Sequence, residues 1–169
     1  MRYRRLTAEE LQALEGDFVQ YLAEQGVTAL DWQRWTQPDG LKVHGERVEA
    51  CIDGFSEAFW EKACSRITHL MRPGEREVWW FAFGDTEAFA LAIPREAEPG
   101  EKKGAGEASE GVQGLEARRT FAVETRNALI FELLEQGAQP CSPEAFEAVN
   151  SLVKRRAMDA SSASQAEAH

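Results

Sequence analysis

The chain has 169 residues, 43% hydrophobic and 28% charged. That is an ordinary globular mix, long enough for a core that needs neither a disulfide nor a metal to hold it. A formal charge of −10 sets the surface against nucleic acid unless basic residues cluster.

No run of about 18 apolar residues exists to span a membrane. No CxxC pair exists for a zinc ribbon or a thioredoxin-like site. Met1-Arg2-Tyr3-Arg4-Arg5 is followed by no apolar signal core. The three widely spaced cysteines, Cys51, Cys64 and Cys141, fit a reducing compartment. The expectation is a soluble, cytoplasmic protein.

Thr7 and Glu10 form a T-x-x-E capping box. Leu11, Leu14, Phe18, Tyr21 and Leu22 then recur at helical spacing, and Gly26 stands where a C-cap residue is wanted. A helix is predicted over 8–25. Thr28 caps a second, short helix with Asp31 in its first turn and Trp32 and Trp35 on one face. Pro38-Asp39-Gly40 reads as a turn. A long helix is predicted over 42–66, with Val48, Ile52, Phe55, Phe59 and Ala63 as its stripe. Gly54 weakens it, and a kink is expected near 54–56.

The period then changes to that of strands. E-V-W-W-F-A-F (77–83) and T-E-A-F-A-L-A-I (86–93) flank Gly84-Asp85, which suits a type II′ hairpin. That loop sets Phe83 opposite Thr86, Phe81 opposite Ala88 and Trp79 opposite Ala90, with Trp80 opposite Phe89 and Val78 opposite Leu91. Both faces are apolar, so both need cover, from within the chain or from a second subunit.

Residues 95–116 are nearly devoid of apolar side chains and read as a flexible insertion. Thr120–Val123 reads as a strand. Leu129, Ile130, Leu133 and Leu134 fit either a helix ending at Gly137 or a buried strand. Ser142 caps the last helix, Pro143 opens it, and Phe146, Val149, Leu152 and Val153 form its stripe.

Tyr3-Arg4-Arg5-Leu6-Thr7, Glu9-Glu10-Leu11, Leu14-Glu15, Phe18-Val19, Leu22-Ala23, Gly26 and Asp31-Trp32 resemble the opening of a family of uncharacterised bacterial proteins, seen mainly in Bacteroidetes. Phe55-Ser56 resembles its Phe-Ser-Asp segment, with Glu57 in place of Asp. Phe131-Glu132-Leu133-Leu134-Glu135-Gln136-Gly137-Ala138 resembles its F-x-L-I-x-x-G-A segment. The resemblance carries no catalytic residue. It favours a strand at 129–136, and the chain departs from it at 95–116 and in the tail.

The predicted architecture is α+β: N-terminal helices packed on a small antiparallel sheet built on the 77–93 hairpin, closed by a C-terminal helix. Residues 1–158 form one domain, and 159–169 a disordered polar tail.

Candidate chemistry is sparse. Cys64, Arg66 and His69 cluster in sequence, and a Cys–His pair can make a thiolate nucleophile. A buried thiol and a surface imidazole are the plainer reading. His44, Glu46 and Glu49 lack any metal-binding spacing. Asp53, Glu57 and Glu61 recur every four residues, either as cleft carboxylates or as a solvated face. Arg2, Arg4 and Arg5 offer a weak nucleic-acid arm. Lys154, Arg155 and Arg156 complement the dipole at a helix end.

Five tryptophans are many for this length. Trp32, Trp35, Trp79 and Trp80, with Phe89, fill the core or form an interaction surface. The leading expectation is a non-catalytic interaction or adaptor module, homodimeric or bound to a protein partner. The rival is a small enzyme using Cys64 and His69 or the helix carboxylates. Neither a metal nor a cofactor is expected, and no catalytic residue is identifiable.

Overall fold

The capping box at Thr7 opens the first helix. The Thr7 hydroxyl accepts from the Glu10 amide at 3.2 Å, and the Glu10 carboxylate accepts from the Thr7 amide at 2.8 Å. A computed structural model of the protein describes residues 2–95 and 115–166, and side chains as far as Met158 except that of Arg156. Most of the segment read as an insertion therefore lies outside the described residues. The chain divides into two units, Met1–Cys64 and Ser65–His169.

The first unit is helical: α1 (Ala8–Ala13), α2 (Glu15–Glu24), α3 (Ala29–Trp35) and α4 (Pro38–Arg66). The single helix predicted over 8–25 is broken at Leu14, whose φ of −105° and ψ of 20° leave the helical region. Its apolar face survives the break. Phe18 packs 5.1 Å from Trp32 and 5.0 Å from Phe55. Gly26 ends α2 at φ 75°. Thr28 caps α3 as predicted, and Asp31 completes a second capping box with it.

Pro38-Asp39-Gly40 is not a turn but the first turn of α4. Proline at the first helical position gives up only an amide that has no intrahelical partner. The Leu41 amide donates to Gln37 O at 2.8 Å, which makes Gln37 the capping residue. Gly40 is required there by close approach. A β-carbon on it would lie 2.0 Å from Arg34 O and 2.9 Å from Trp35 O, so α4 begins pressed against the last carbonyls of α3.

α4 then runs unbroken through Gly54, where a kink was expected. The Ser56 hydroxyl donates to Ile52 O at 2.7 Å, one turn back, without stopping the helix.

The second unit carries a five-stranded antiparallel sheet of order β4-β3-β2-β1-β5. Its strands are β1 (His69–Pro73), β2 (Glu77–Phe83), β3 (Glu87–Pro94), β4 (Leu115–Thr120) and β5 (Gln139–Pro140). The fold is thus α+β, with the sheet built on the expected hairpin and a C-terminal helix. The hairpin register differs from the predicted one by two residues: Phe83 faces Ala88, Phe81 faces Ala90 and Trp79 faces Ala92. The loop is Asp85-Thr86, closed by Gly84 N donating to Glu87 O at 2.8 Å. No described non-glycine residue has positive φ, so this is not a type II′ turn. A two-residue shift keeps every side chain on its face and leaves Trp79, Phe81 and Phe83 opposite small residues. Alternation therefore could not separate the two registers.

The strand predicted at 120–123 instead ends at Thr120 and is followed by a short 3₁₀ turn, Val123–Thr125. Residues 129–136 belong to α5 (Arg126–Glu135), not to a strand. Gly137 follows at φ 86°, the helix ending that the spacing of Leu129 to Leu134 had allowed. Arg126 pins the start of α5 by donating to Ile67 O at 2.7 Å and to Gly84 O at 3.0 Å.

The last helix, α6, spans Pro143–Ala166, with Ser142 Oγ accepting from the Ala145 amide at 3.2 Å. Its backbone continues into the stretch predicted as a tail. Lys154 and Arg155 accordingly lie within the helix and not at its C-terminal end. Phe146 lays α6 on the Trp80 face of the sheet, 5.2 Å from the His69 ring and 6.0 Å from Phe89. Both faces bury large side chains, Phe81 and Phe83 on one and Leu91 on the other.

Gly54 provides a test of close packing in the first unit. A β-carbon there would sit 2.4 Å from the Tyr21 hydroxyl and an ordinary 3.5 Å from its ring. Gly54→Ala should destabilise by about 1–2 kcal/mol despite its better helix propensity. In a Tyr21→Phe background the same change should be neutral or stabilising by up to about 1 kcal/mol, because only the hydroxyl clashes. Urea denaturation of the four proteins measures both.

Candidate functional site

The carboxylates that repeat along α4 are engaged by the N-terminal segment. The Arg2 amide donates to Glu57 at 2.9 Å, and the Arg2 guanidinium lies 3.4 Å from Glu61. The Tyr3 hydroxyl donates to Glu61 at 2.5 Å. Arg5 pairs with Asp53 at 2.6 Å and also with Glu49. Between these contacts Tyr3 and Leu6 turn inward, each 3% exposed. The Leu6 amide donates to the buried Ser56 hydroxyl at 3.1 Å. Arg4 forks onto Glu10 with two 2.7 Å bonds and lies 4.9 Å over the Trp60 ring. The three arginines weighed as a nucleic-acid arm are therefore committed within the first unit. Asp53, Glu57 and Glu61 serve as its anchor row.

The paired Cys64 and His69 fare differently. Cys64 is fully buried in the first unit. His69 belongs to β1 of the second, where Nδ1 lies 2.9 Å from Thr68 Oγ1. Arg66 is exposed at the end of α4. His44 packs its ring 5.5 Å from Trp35. Among the described residues no group of three or more His, Cys, Asp or Glu is placed to hold a metal ion.

All five residues read as a possible interaction surface are half-buried. Trp32 stands edge-on to Phe18. Trp79 stacks on Phe81 at 6.2 Å, and its Nε1 donates to Glu77 at 2.8 Å. The β2–β3 register puts Trp80 and Phe89 on the opposite sheet face from Trp79. The Arg118 guanidinium lies 5.7 Å over Phe89.

Trp35 lines an open groove of about 300 Å³, with Tyr21, Gln25, Val27, Arg47, Ala50 and Cys51. The groove follows from the tight α3–α4 corner at Gly40, which turns Trp35 back against the first turns of α4. There His44 and Arg47, three residues apart, meet the indole; the Arg47 guanidinium lies 5.8 Å over its ring. Burial pushes the Tyr21 hydroxyl and the Cys51 thiol up from their ordinary pKa values. Both therefore stay neutral at physiological pH, and the groove's charge is that of Arg47. Sequence reasoning named Trp35 but missed Tyr21, Arg47 and Cys51. The His44–Arg47 spacing was the available signal, and it acquires meaning only once Pro38 is known to start a helix.

Two titrations follow from the N-terminal contacts. Arg4 first, and then the Thr7 amide, hold the Glu10 carboxyl down at about 2, below its ordinary 4.5. Its folded value is depressed, so its stabilisation is present above pH 4.5 and is lost as pH falls towards 2. Glu10→Gln should flatten that acid limb. It should cost about 1 kcal/mol at neutral pH, a figure discounted for the carboxylate's partial exposure. Denaturation midpoints against pH measure it.

Burial, and then the bond to Glu61, push the Tyr3 hydroxyl up to about 12 from 10.0. Its folded value is raised, so its stabilisation is present below pH 10 and is lost as pH rises towards 12. Tyr3→Phe should lose about 1–2 kcal/mol at neutral pH and lessen the alkaline loss, as read by thermal denaturation.

No helix among the described residues is long and apolar enough to cross a membrane. No curated protein and no solved structure matches the chain. A model of the family of unknown function DUF6495 matches residues 1–154, nearly the whole length, and the chain belongs to that family.

Proposed function

We propose that the chain is a non-catalytic protein-interaction module that receives its partner in the groove at Trp35. The observation that carries this reading is the composition and form of that groove. It is open and shallow, and it presents a tryptophan, a tyrosine and an arginine together. Trp, Tyr and Arg are the residue types that dominate binding hot spots.

Arg47 is exposed and stacks on Trp35, and no described carboxylate pairs with it. A molecule of charge −10 here keeps a cation for an outside anion. The partner surface that fits is an apolar side chain next to an Asp or Glu. The hairpin faces are poorer candidates, because Phe81, Phe83 and Leu91 are buried. A reducing, bacterial cytoplasm suits the three free thiols and the resemblance of the opening and closing segments.

The test compares capture from the native cell by the wild-type chain and by Arg47→Glu. Arg47 is exposed, so the variant should fold normally by circular dichroism. A specific partner should bind it at least about tenfold more weakly, the scale of a hot-spot loss. A partner set that is the same for wild type, Arg47→Glu and Trp35→Ala would sink the reading.

A further inference from the structure

The outer edge of β4 matches itself. In this sheet β4 is the terminal strand, all six of its residues are exposed, and among the described residues nothing pairs with its far side. The opposite edge, β5, is only two residues and ends in Pro140, a short strand with a missing donor of the kind that blocks edge pairing. β4 has neither defence.

Its backbone orientation is fixed by one bond. The Phe121 amide donates to Thr86 O at 2.9 Å, and the β3–β4 register pairs Glu87 with Thr120. In an antiparallel ladder the inward bonds fall on alternate residues. Ala117 and Arg119 therefore bond towards β3, while Glu116 and Arg118 direct their N–H and C=O groups outward.

Two copies joined edge to edge and antiparallel are related by a two-fold axis normal to the sheet. That symmetry keeps the same face up in both copies, so residues facing each other must share a face. Three registers of this kind lie near the middle of the strand. Centring on Glu116 opposes two carboxylates, and centring on Arg118 opposes two guanidinia. Centring on Ala117 puts Glu116 of each copy opposite Arg118 of the other, twice. The same register lets those two residues exchange their outward backbone bonds, and it leaves the small Ala117 at the close, non-bonded crossing on the axis. Arg118 is already held over Phe89, its guanidinium on the face where the opposing Glu116 would lie.

We propose that β4 pairs with β4 of a second copy of this chain in that register, continuing the sheet across a two-fold axis. The inference rests on reading the chain as an interaction module and adds a second surface to it. The two fail separately, since the charges of β4 are remote in sequence from Arg47 and substitution of one site leaves the other intact. One strand edge buries far less than the roughly 1,000 Å² of a standing interface, so the association is weak and concentration-dependent.

Sedimentation of the full chain over rising concentration tests it. The wild type should pass from monomer to dimer. Glu116→Arg and Arg118→Glu should each weaken the dimer about tenfold or more, since each makes both symmetric pairs repulsive. The double charge swap should restore it. Oxidised Ala117→Cys should give a cross-linked dimer that the wild type, with its own three cysteines, does not. Both charged residues are exposed, and circular dichroism verifies that the variants fold. A monomer at every concentration, as when residues 96–114 of the same chain occupy the edge, overturns the proposal. So does a double swap that remains as weak as the single variants, or an Ala117→Cys chain that does not cross-link.

Discussion

Residues 2–6 lie along α4 because two kinds of force act on alternate side chains. Tyr3 and Leu6 are buried, and removing a leucine-sized side chain from water is worth about 1.5–3 kcal/mol. Arg2 and Arg5 face outward onto Glu49, Asp53 and Glu61 with much of each pair in solvent. Exposed pairs of this kind contribute little individually. Burial therefore holds the segment down, and the ion pairs choose its register. They also offset the charge of three carboxylates in a row of acids spaced one turn apart on the same helix, an arrangement that repels itself in isolation. The end of the segment is tied by Ser56, which accepts from the Leu6 amide and donates to Ile52 O. Without that hydroxyl a buried amide would be left unpaired.

This attachment changes how the charge of the molecule is read. In the sequence, the basic start and the acidic helix are two separate features, one hinting at phosphate and the other at a carboxylate cleft. In the fold they are one feature and cancel locally. What remains is a strongly acidic surface on which an uncompensated cation such as Arg47 stands out. The constraint at Gly40 then supplies the shape: the start of α4 abuts the carbonyls of α3, and Trp35 is turned over the helix that carries Arg47.

Local signals in the sequence were legible wherever one side chain satisfies one backbone group. The capping boxes at Thr7 and Thr28, the Ser142 cap and the glycine endings at Gly26 and Gly137 depend on neighbours within a turn. That residues 77–83 pair with 86–93 was legible too, but the register was not, because alternation alone does not separate registers two residues apart. What failed were features settled by distant contacts. Pro38 starts a helix because α3 is packed beneath it, and Gly54 makes room for Tyr21, 33 positions away. Residues 129–134 carry no period that separates helix from strand, and the resemblance pointed the wrong way. β1 and β5 are short and only partly apolar, so they become strands through their neighbours in the sheet. The groove was legible only through Trp35, because its other walls come from α2, the link after it and α4.

Under the proposed pairing, the two ends of the sheet let a net charge of −10 coexist with self-association. Long-range repulsion between copies is screened beyond about 8–10 Å at physiological salt, so it slows encounters without deciding which contact persists. The short-range pattern decides that, and it differs at the two edges. At β5 a proline removes a donor at any salt concentration. At β4 the alternation Glu116-Ala117-Arg118 repels itself in two of the three central registers and attracts in the third. Salt therefore acts on β4 in opposite directions, easing the approach while weakening the pairs that fix register. An edge of this kind is selective rather than adhesive, since a strand without complementary charges meets the same exposed backbone but no preferred alignment.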